Sequence, residues 1–355
     1  MLFRQSGIFH TNYANARSLF PLPADRWMIG LLLAFALTAP FTMSTLVLST
    51  QLLPWLVWTA AVLGLNLILG WTGQFHFGYA AIMGIGAYTA VHGVRNGIPW
   101  EIAMVLGGVM AAVIGIVFAF AALRVKGLYL AVATLAAQFF SDWMFLRVKW
   151  FVNDSPSGSV SVNNLQVFGM PIESATSKYL FCLAVLVVLA LLAKNLVRSA
   201  IGREWMAIRD MDVAAAVIGI RPMYAKLTAF AVSSFIIGVA GGLWAFVYLG
   251  AWEPAAFGVD ISFRLLFMVI IGGLGSIMGA FFGAGFIVVL PIVLNQLLPA
   301  IAEVFGMTMS TAAVSHVELM IFGGLIVWFL IVEPHGLARL WSIGKQKLRL
   351  WPFPH

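Results

Sequence analysis

Long apolar stretches separated by short polar or Pro/Gly-rich breaks run along most of this chain. A helix needs about 20 apolar residues to cross the hydrocarbon core of a bilayer, and most of these stretches are of about that length. They lie at 27–48, 52–70, 75–92, 100–122, 127–146, 178–194, 224–249, 262–274, 276–298 and 316–332. A transmembrane barrel would instead show strands of about ten residues with alternating polarity, a pattern the sequence lacks. The pattern predicts an all-α, polytopic membrane helix bundle with about ten transmembrane helices.

Composition excludes a soluble globular protein. Of the 355 residues, 62% are apolar and 9% are charged, whereas soluble domains have roughly 45–50% and about 25%. The single cysteine, Cys182, lies inside an apolar run, so we expect a small buried hydrophobic side chain and no disulfide framework. The first 26 residues are mixed and polar, and no removable signal peptide is expected there.

Lysine and arginine are distributed unevenly over the predicted loops. With the N-terminus inside, 15 of the 20 basic residues fall on the inner side and five on the outer side, which predicts that both termini are cytoplasmic. Inner loops next to anionic lipid then account for the net charge of +7, and no nucleic acid partner is expected. The predicted organisation is a cytoplasmic segment 1–26, a transmembrane domain 27–332 and a basic cytoplasmic tail 333–355.

Two predicted loops are long enough to act outside the bilayer. The outer loop, 147–177, is polar and rich in turn residues, which suits a surface or docking loop. The inner loop contains good helix formers between Gly202 and Pro222, and it predicts a short cytoplasmic helix over 202–220. Its charged residues Arg203, Arg209 and Asp212 spread around the helix, which favours a position in a protein cleft. An ordinary interfacial helix is the alternative.

One predicted span combines glycine with polar residues. The segment GWTGQFHFGYAAIMGIGAY, 70–88, carries Gln74, His76 and Tyr79 at the expected depth of the membrane, where polar groups need partners. A helix interrupted there could expose backbone amides to a solute. On a continuous helix His76 and Tyr79 share a face, with Phe75 and Met83 nearby. We expect these five residues to line a translocation path; the alternative is a polar pair packed inside the bundle.

The distribution of charge argues for a transporter powered from outside the chain. The middles of the spans are uncharged, and the charged residues associated with them fall near their outer ends: Glu101, Asp142, Glu253, Asp260, Glu318 and Arg264. Ion-coupled carriers, in contrast, often place charges within their spans. The chain lacks a Gly-x-x-x-x-Gly-Lys-Ser/Thr motif, so ATP would be hydrolysed by another subunit. An ion-coupled secondary transporter is the alternative. An intramembrane enzyme is disfavoured because the sequence shows no His-Glu-x-x-His, Gly-x-Ser-x-Gly or Cys/His cluster.

Five blocks of sequence resemble one family in the right order. Residues 70–88 resemble the Gly-Gln-x-Ser-x-Gly-His-Ala-Ala-Phe signature of the branched-chain amino-acid type ABC importer permeases, M-type, with His76 in place of Ser and Tyr79 in place of His. The inner helix, with Ala214, Ala215 and Gly219, resembles the cytoplasmic coupling segment of that family. The stretches IGGLGSIMGAFFGA, 271–284, and EPHGL, 333–337, resemble further family blocks, as does RVKGLYLAVATL, 124–135.

The resemblance implies a permease subunit in the bacterial inner membrane. It implies three kinds of partner: a second homologous permease of a different chain, two cytoplasmic ATPase subunits and an external substrate-binding protein. No cofactor is expected in this chain, and ATP and magnesium would bind the ATPase subunits. The solute would be a branched-chain or other amino acid, or a related small carboxylate, amide or aromatic acid. The residues expected to couple to the ATPase are Gly202, Arg203, Arg209, Asp212, Ala214, Ala215 and Gly219.

Overall fold

The computed structural model of the chain describes residues 12, 23–124, 128–152, 159–161, 165–167, 169–304, 311–333 and 335–350. Almost all of the predicted segment 1–26, the loop residues 153–158 and 162–164, and the last five residues of the tail lie outside this part of the chain.

Helices account for nearly all of the described structure, as the apolar pattern predicts. The α-helices are α1 Pro23–Thr42, α2 Thr45–Trp71 with two π-helical turns, α3 Tyr79–Arg95, α4 Trp100–Arg124, α5 Leu128–Arg147, α6 Lys149–Val152, α7 Ala175–Arg198, α8 Ala200–Asp210, α9 Asp212–Val217, α10 Pro222–Leu249 ending in a π-helical turn, α11 Val259–Gly272, α12 Ile277–Val304, α13 Thr311–Val332 and α14 Gly336–Leu350. A 3₁₀ turn, Pro254–Phe257, precedes α11.

Seven helices of the described chain are long and apolar enough to cross a membrane. They are α2, α5, α7, α10 and α12, with α4 over Trp100–Phe120 and α11 with its preceding turn over Pro254–Gly272. Two shorter apolar helices, Arg26–Thr42 and Met320–Phe329, match the first and last predicted spans. The predicted span 75–92 is instead α3, which begins at Tyr79 and whose 17 residues rise only about 26 Å. The all-α polytopic bundle is confirmed, and the count of about ten stays a prediction.

The helices α2 and α10 form the centre of the bundle. In the most apolar part of each helix, 89% of the α2 residues and 78% of the α10 residues are buried. The corresponding share is 28–50% in the other spanning helices. Helices that are apolar on every side need either protein or lipid around them. The two central helices are therefore surrounded by protein, and the outer helices leave apolar faces for lipid or for another membrane subunit.

Glycines bring three helix backbones into contact at this centre. A Cβ added to Gly86 of α3 would lie 2.3 Å from the carbonyl oxygen of Gly238 of α10. One added to Gly107 of α4 would lie 2.4 Å from the carbonyl oxygen of Gly86. Small residues at such contacts allow close packing in membranes, where apolar surface alone gives no driving force for association. We call Gly86, Gly107 and Gly238 the glycine seam.

The connections gather at two ends of the bundle, which we name the inner and outer poles after the sides predicted from the basic residues. At the outer pole, strand β1 Val160–Ser161 pairs antiparallel with β4 Ala251–Trp252. The hairpin of β2 Gln166–Val167 and β3 Met170–Pro171 lies within the predicted outer loop. The inner pole carries residues 72–78, helices α8 and α9, and residues 273–276. Met28 of α1 and Trp341 of α14 line one cavity, so the two ends of the described chain lie near each other.

Candidate functional site

The chain is non-helical from Gly73 to Gly78, between α2 and α3. Gly73 has φ +68°, a left-handed conformation that favours glycine and ends the helical path. The carbonyl oxygen of Ile68 accepts hydrogen bonds from the Thr72 hydroxyl and, at 3.2 Å, from the Gln74 backbone N–H. We call residues 72–78 the inner break. A helical interruption was predicted as an option, but the expected continuous helix from residue 75 is wrong.

Side chains from two other helices, α5 and α11, satisfy the backbone around the inner break. Thr134 of α5 accepts from the Phe77 N–H at 3.0 Å. At the start of α3, the Ala80 N–H donates to the Ser262 hydroxyl at 2.9 Å and the Ala81 N–H donates to the Gln138 side-chain oxygen at 2.8 Å. The first N–H groups of a helix have no partner within it. Non-helical backbone is tolerated at membrane depth only where protein satisfies it, and here protein does so.

His76 and Tyr79 contact each other, although not in the way the sequence predicted. His76 lies in the inner break and not on a helix, and its ring centroid is 4.7 Å from that of Tyr79, the first residue of α3. Phe118 and Phe230 complete an aromatic surround at 5.8 and 5.4 Å from the His76 ring. The Gly78 N–H donates to His76 Nδ1 at 3.0 Å, which leaves the proton of a neutral ring on Nε2.

Three buried polar side chains here have side-chain atoms without a hydrogen-bond partner in the described structure. The atoms without a partner are the amide nitrogen and oxygen of Gln74, Nε2 of His76 and the hydroxyl oxygen of Tyr79. Buried polar groups are normally paired, and each exception calls for an explanation. His76 and Tyr79 lie together at the N-terminus of α3 and between aromatic rings, which gives a small polar cluster with apolar walls. Gln74 lies further along the inner break.

The other two predicted path residues differ from this cluster. The Phe75 side chain is 47% exposed, so the inner break presents an aromatic ring to its surroundings. Met83 is fully buried, and its carbonyl oxygen would lie 2.1 Å from a Cβ added to Gly241, so it sits in a tight contact with α10. Two cavities of about 400 and 420 Å³ lie against α12, and none of the five predicted residues lines them.

The predicted cytoplasmic helix 202–220 is two helices, α8 and α9. Met211, with φ −161° and ψ 102°, is extended and separates them. Within α8, Gly202, Trp205 and Ile208 form one buried face. The Trp205 indole N–H donates to the Thr228 hydroxyl at 3.1 Å, which fixes α8 to α10. The helix therefore rests on its own permease.

The outward side of α9 carries apolar residues. Val217 is 82% exposed and Ile218 is 75% exposed, and Met211 and Val213 are exposed beside them. Of the residues expected to contact an ATPase, Ala214 and Gly219 are exposed, whereas Ala215 is buried against the permease. We call Met211, Val213, Val217 and Ile218 the α9 patch.

The charged residues expected to couple to an ATPase occupy different positions. Arg203 is exposed, and its guanidinium donates to the Arg198 carbonyl oxygen at 3.3 Å. Asp212 begins α9 and is partly buried. Arg209 points inward: its Nη1 donates to the carbonyl oxygen of Gly70, near the end of α2, at 3.0 Å.

Sequence reasoning missed three polar residues that hold the inner pole together. Asn66 bonds to the backbone of Gly275 and Ser276. Gln138 and Ser262 bond to α3, and the Gln138 amide nitrogen also donates to the Phe257 carbonyl oxygen at 3.0 Å. The available signal was a single polar residue inside an apolar stretch, which marks a group that needs a partner at membrane depth.

Comparison with known proteins gives consistent matches over most of the chain. A family model described as the permease component of branched-chain amino acid transport systems matches residues 47–331. The chain is 27% identical over 333 residues to the high-affinity branched-chain amino acid transport system permease protein LivM of Escherichia coli strain K12, covering 87% of this chain and 74% of that protein. It is 29% identical over 302 residues to LivM of Salmonella typhimurium strain LT2, covering 78% of this chain and 67% of that protein. No solved structure matches the chain.

Proposed function

Because this chain belongs to the family of permease components of branched-chain amino acid transport systems, we propose that it forms the membrane path for a small amino acid or related carboxylate in an ATP-driven importer. As a permease of this family it is a multi-pass inner-membrane protein. Family membership favours the ATP-driven class over the ion-coupled carrier that the sequence left open. The proposed assembly contains a second permease, two ATPase subunits that bind ATP and magnesium, and an external binding protein.

The α9 patch is the observation that carries coupling to a separate ATPase. Val217 and Ile218 expose apolar side chains on a segment that lies outside the spanning helices. Exposed apolar patches mark surfaces that bind a protein partner or a membrane, and we infer a protein partner here because α8 and α9 rest on the permease outside its spanning helices. The buried face of α8 packs α8 and α9 against the permease. Movement of a partner bound to the patch would therefore be transmitted to the helix bundle.

The polar cluster at the inner break supports the proposed solute class. The Nε2 proton of His76, the hydroxyl of Tyr79 and the amide of Gln74 are hydrogen-bond donors with no partner of their own in the described structure. His76 and Tyr79 lie at the N-terminus of α3, where the helix dipole favours negative charge. Phe118 and Phe230 add apolar walls. A carboxylate carried on an apolar group fits this chemistry.

The proposed coupling is tested by changing the α9 patch. The variant Val217→Glu with Ile218→Glu should insert normally, fail to retain the ATPase subunits during purification and lose ATP-driven uptake. Met170→Glu is the control, because Met170 is an exposed apolar residue at the outer pole, and it should retain the ATPase. Retention of the ATPase and full uptake by the double variant would refute the coupling surface. Uptake driven by an ion gradient without ATP would refute the transporter class.

A further inference from the structure

Arg209 joins helix α8 to the end of helix α2. Its Nη1 donates to the Gly70 carbonyl oxygen, while its Nε and Nη2 donate to Asp210 Oδ1 at 3.1 and 2.9 Å. The last carbonyls of a helix have no partner within it and carry partial negative charge. Arg209 therefore caps the C-terminus of α2 from another element, and Asp210 fixes the orientation of the guanidinium.

The backbone around Arg209 is shaped to receive it. A Cβ on Gly73 would lie 2.9 Å from Cγ of Arg209, so the arginine stem occupies the space that a side chain would need. Gly275, with φ +73°, lies on the other side, and a Cβ there would be 3.7 Å from Arg209 Nη1. Arg209 thus lies beside the place where the end of α2 meets the turn that precedes α12.

We propose that Arg209 is a positioning residue that transmits displacement of α8 and α9 to the inner break. The inference rests on the proposed coupling to an ATPase. Only a few residues connect α8 to the inner break. Arg209 follows Ile208, which lies on the buried face of α8. The Gly70 carbonyl oxygen that accepts from Arg209 is three residues before Gly73, where the chain leaves the helical path. A shift of α8 moves the guanidinium, and the end of α2 with Gly73 must follow or lose the cap.

The chemistry of the contact requires arginine. A guanidinium can donate to Gly70 through Nη1 and to Asp210 through Nε and Nη2 at the same time, because its donors form a fixed planar fork. A lysine keeps the positive charge near the helix terminus but offers one flexible nitrogen. The conservative replacement Arg209→Lys therefore distinguishes the contribution of the positive charge from that of the planar guanidinium geometry.

The test uses the assembled importer and a cysteine reporter on the inner break. In a Cys182→Ala background, Phe75→Cys places a thiol where the native side chain is half exposed. Its labelling rate by a soluble maleimide is measured with and without ATP. The solute imported per ATP hydrolysed is measured in parallel, in the native background, with Arg209, Arg209→Ala, Arg209→Lys and Arg221→Ala. Arg221 is a control cation at the same pole, and its guanidinium lies 5.7 Å from the Tyr224 ring centroid.

We expect solute uptake to become uncoupled from ATP hydrolysis while the importer stays assembled. Arg209→Ala should lower the solute imported per ATP by about 5-fold or more, the low end of typical coupling. ATP hydrolysis should be retained, and labelling of the Phe75→Cys thiol should no longer respond to ATP. Arg209→Lys should lie between Arg209→Ala and the native chain. Arg221→Ala should keep the native ratio and the native response.

Several outcomes would overturn the role of Arg209. A native ratio and a native labelling response in Arg209→Ala would do so, as would an equal loss in Arg221→Ala. If Arg209→Ala does not assemble, Arg209→Lys decides, and native values there overturn the proposal. Two other results would show that the proposed coupling itself is wrong. One is labelling of the Phe75→Cys reporter that does not respond to ATP when Arg209 is native, and the other is a native chain that binds no ATPase.

Discussion

Asn66 accepts a hydrogen bond from the backbone N–H of Gly275 at 2.8 Å, across 209 positions of sequence. Its amide nitrogen donates to the Ser276 carbonyl oxygen at 2.8 Å, and the residue is fully buried. One side chain on α2 thereby satisfies two backbone groups of the turn that precedes α12. The two segments that the sequence marks by their glycines, 70–73 and 272–276, are held together by this contact.

Replacing Asn66 should destabilise the permease. Asn66→Leu removes these hydrogen bonds and a longer one to the Gly273 carbonyl oxygen, at 3.5 Å, and leaves partly buried backbone groups of Gly275 and Ser276 unpaired. An unpaired group costs up to about 1–3 kcal/mol where it is shielded from water. The measurement is the midpoint of thermal unfolding in detergent. Asn295→Leu is the control, because the exposed Asn295 side chain bonds only to its own helix, at the Pro291 carbonyl oxygen, among the bonds described. Equal midpoints for the two variants would contradict the bridging role.

Removing the Tyr79 hydroxyl should weaken solute handling. In Tyr79→Phe the ring contact with His76 is kept and only one unpartnered donor is lost, so the apparent affinity for the solute should fall about 2- to 10-fold, as expected for a single hydrogen bond. Concentration-dependent uptake measures the change. Tyr88→Phe is the control on the same helix, because Tyr88 packs near the outer pole against Phe151 and Trp252. Unchanged affinity in Tyr79→Phe would favour a packing role for the cluster.

The sidedness predicted from the basic residues is open to a labelling test. In a chain without Cys182, a cysteine at the exposed Ser161 should react from outside with a membrane-impermeant thiol reagent, and one at the exposed Val213 should not. After the membrane is permeabilised, Val213→Cys should react as well, which controls for accessibility. The reverse pattern in intact cells would show that the 15 to 5 charge distribution was interpreted with the wrong orientation.

A single methyl group in the glycine seam should impair folding. Gly86→Ala places a Cβ 2.3 Å from the Gly238 carbonyl oxygen, so the backbones of α3 and α10 must separate. Overpacking of this kind typically costs about 1–3 kcal/mol, and we expect a lower unfolding midpoint or a lower yield of folded permease. Gly323→Ala adds the same methyl group where nothing lies within 4 Å, and it should be tolerated. Similar stability of the two variants would argue against tight contact at the seam.

Most of the helices follow from the sequence because spanning length and apolar composition act locally. The predicted span 100–122 corresponds to α4, Trp100–Arg124, and the predicted span 276–298 corresponds to α12, Ile277–Val304. The resemblance to a permease family is confirmed by the family match over residues 47–331. Errors concentrate where apolar side chains continue through irregular backbone. Phe75 and Phe77 keep the inner break apolar in composition, so the pattern predicted a helix from residue 75, whereas α3 starts at Tyr79.

The candidate site was less predictable because it depends on contacts between distant segments. The sequence marked His76 and Tyr79 as a pair, and their rings do touch, but through the geometry of the inner break instead of helical periodicity. Gly275, Gly279 and Gly283 repeat every fourth residue, a spacing that predicts one helical face, yet Gly275 has φ +73° and precedes α12. No local signal indicates that Arg209 reaches back to Gly70, because that contact is set by the packing of α8 on the bundle.

The glycine seam limits which parts of the molecule can move. Where Gly86, Gly107 and Gly238 bring three backbones together, no flexible side chain lies between the helices to absorb sliding. Packed elements of this kind change position in discrete steps and not by gradual deformation. We therefore expect α3, α4 and α10 to move together as one unit where the seam joins them, and any relative movement that opens or closes a pathway to lie between this unit and the helices around it.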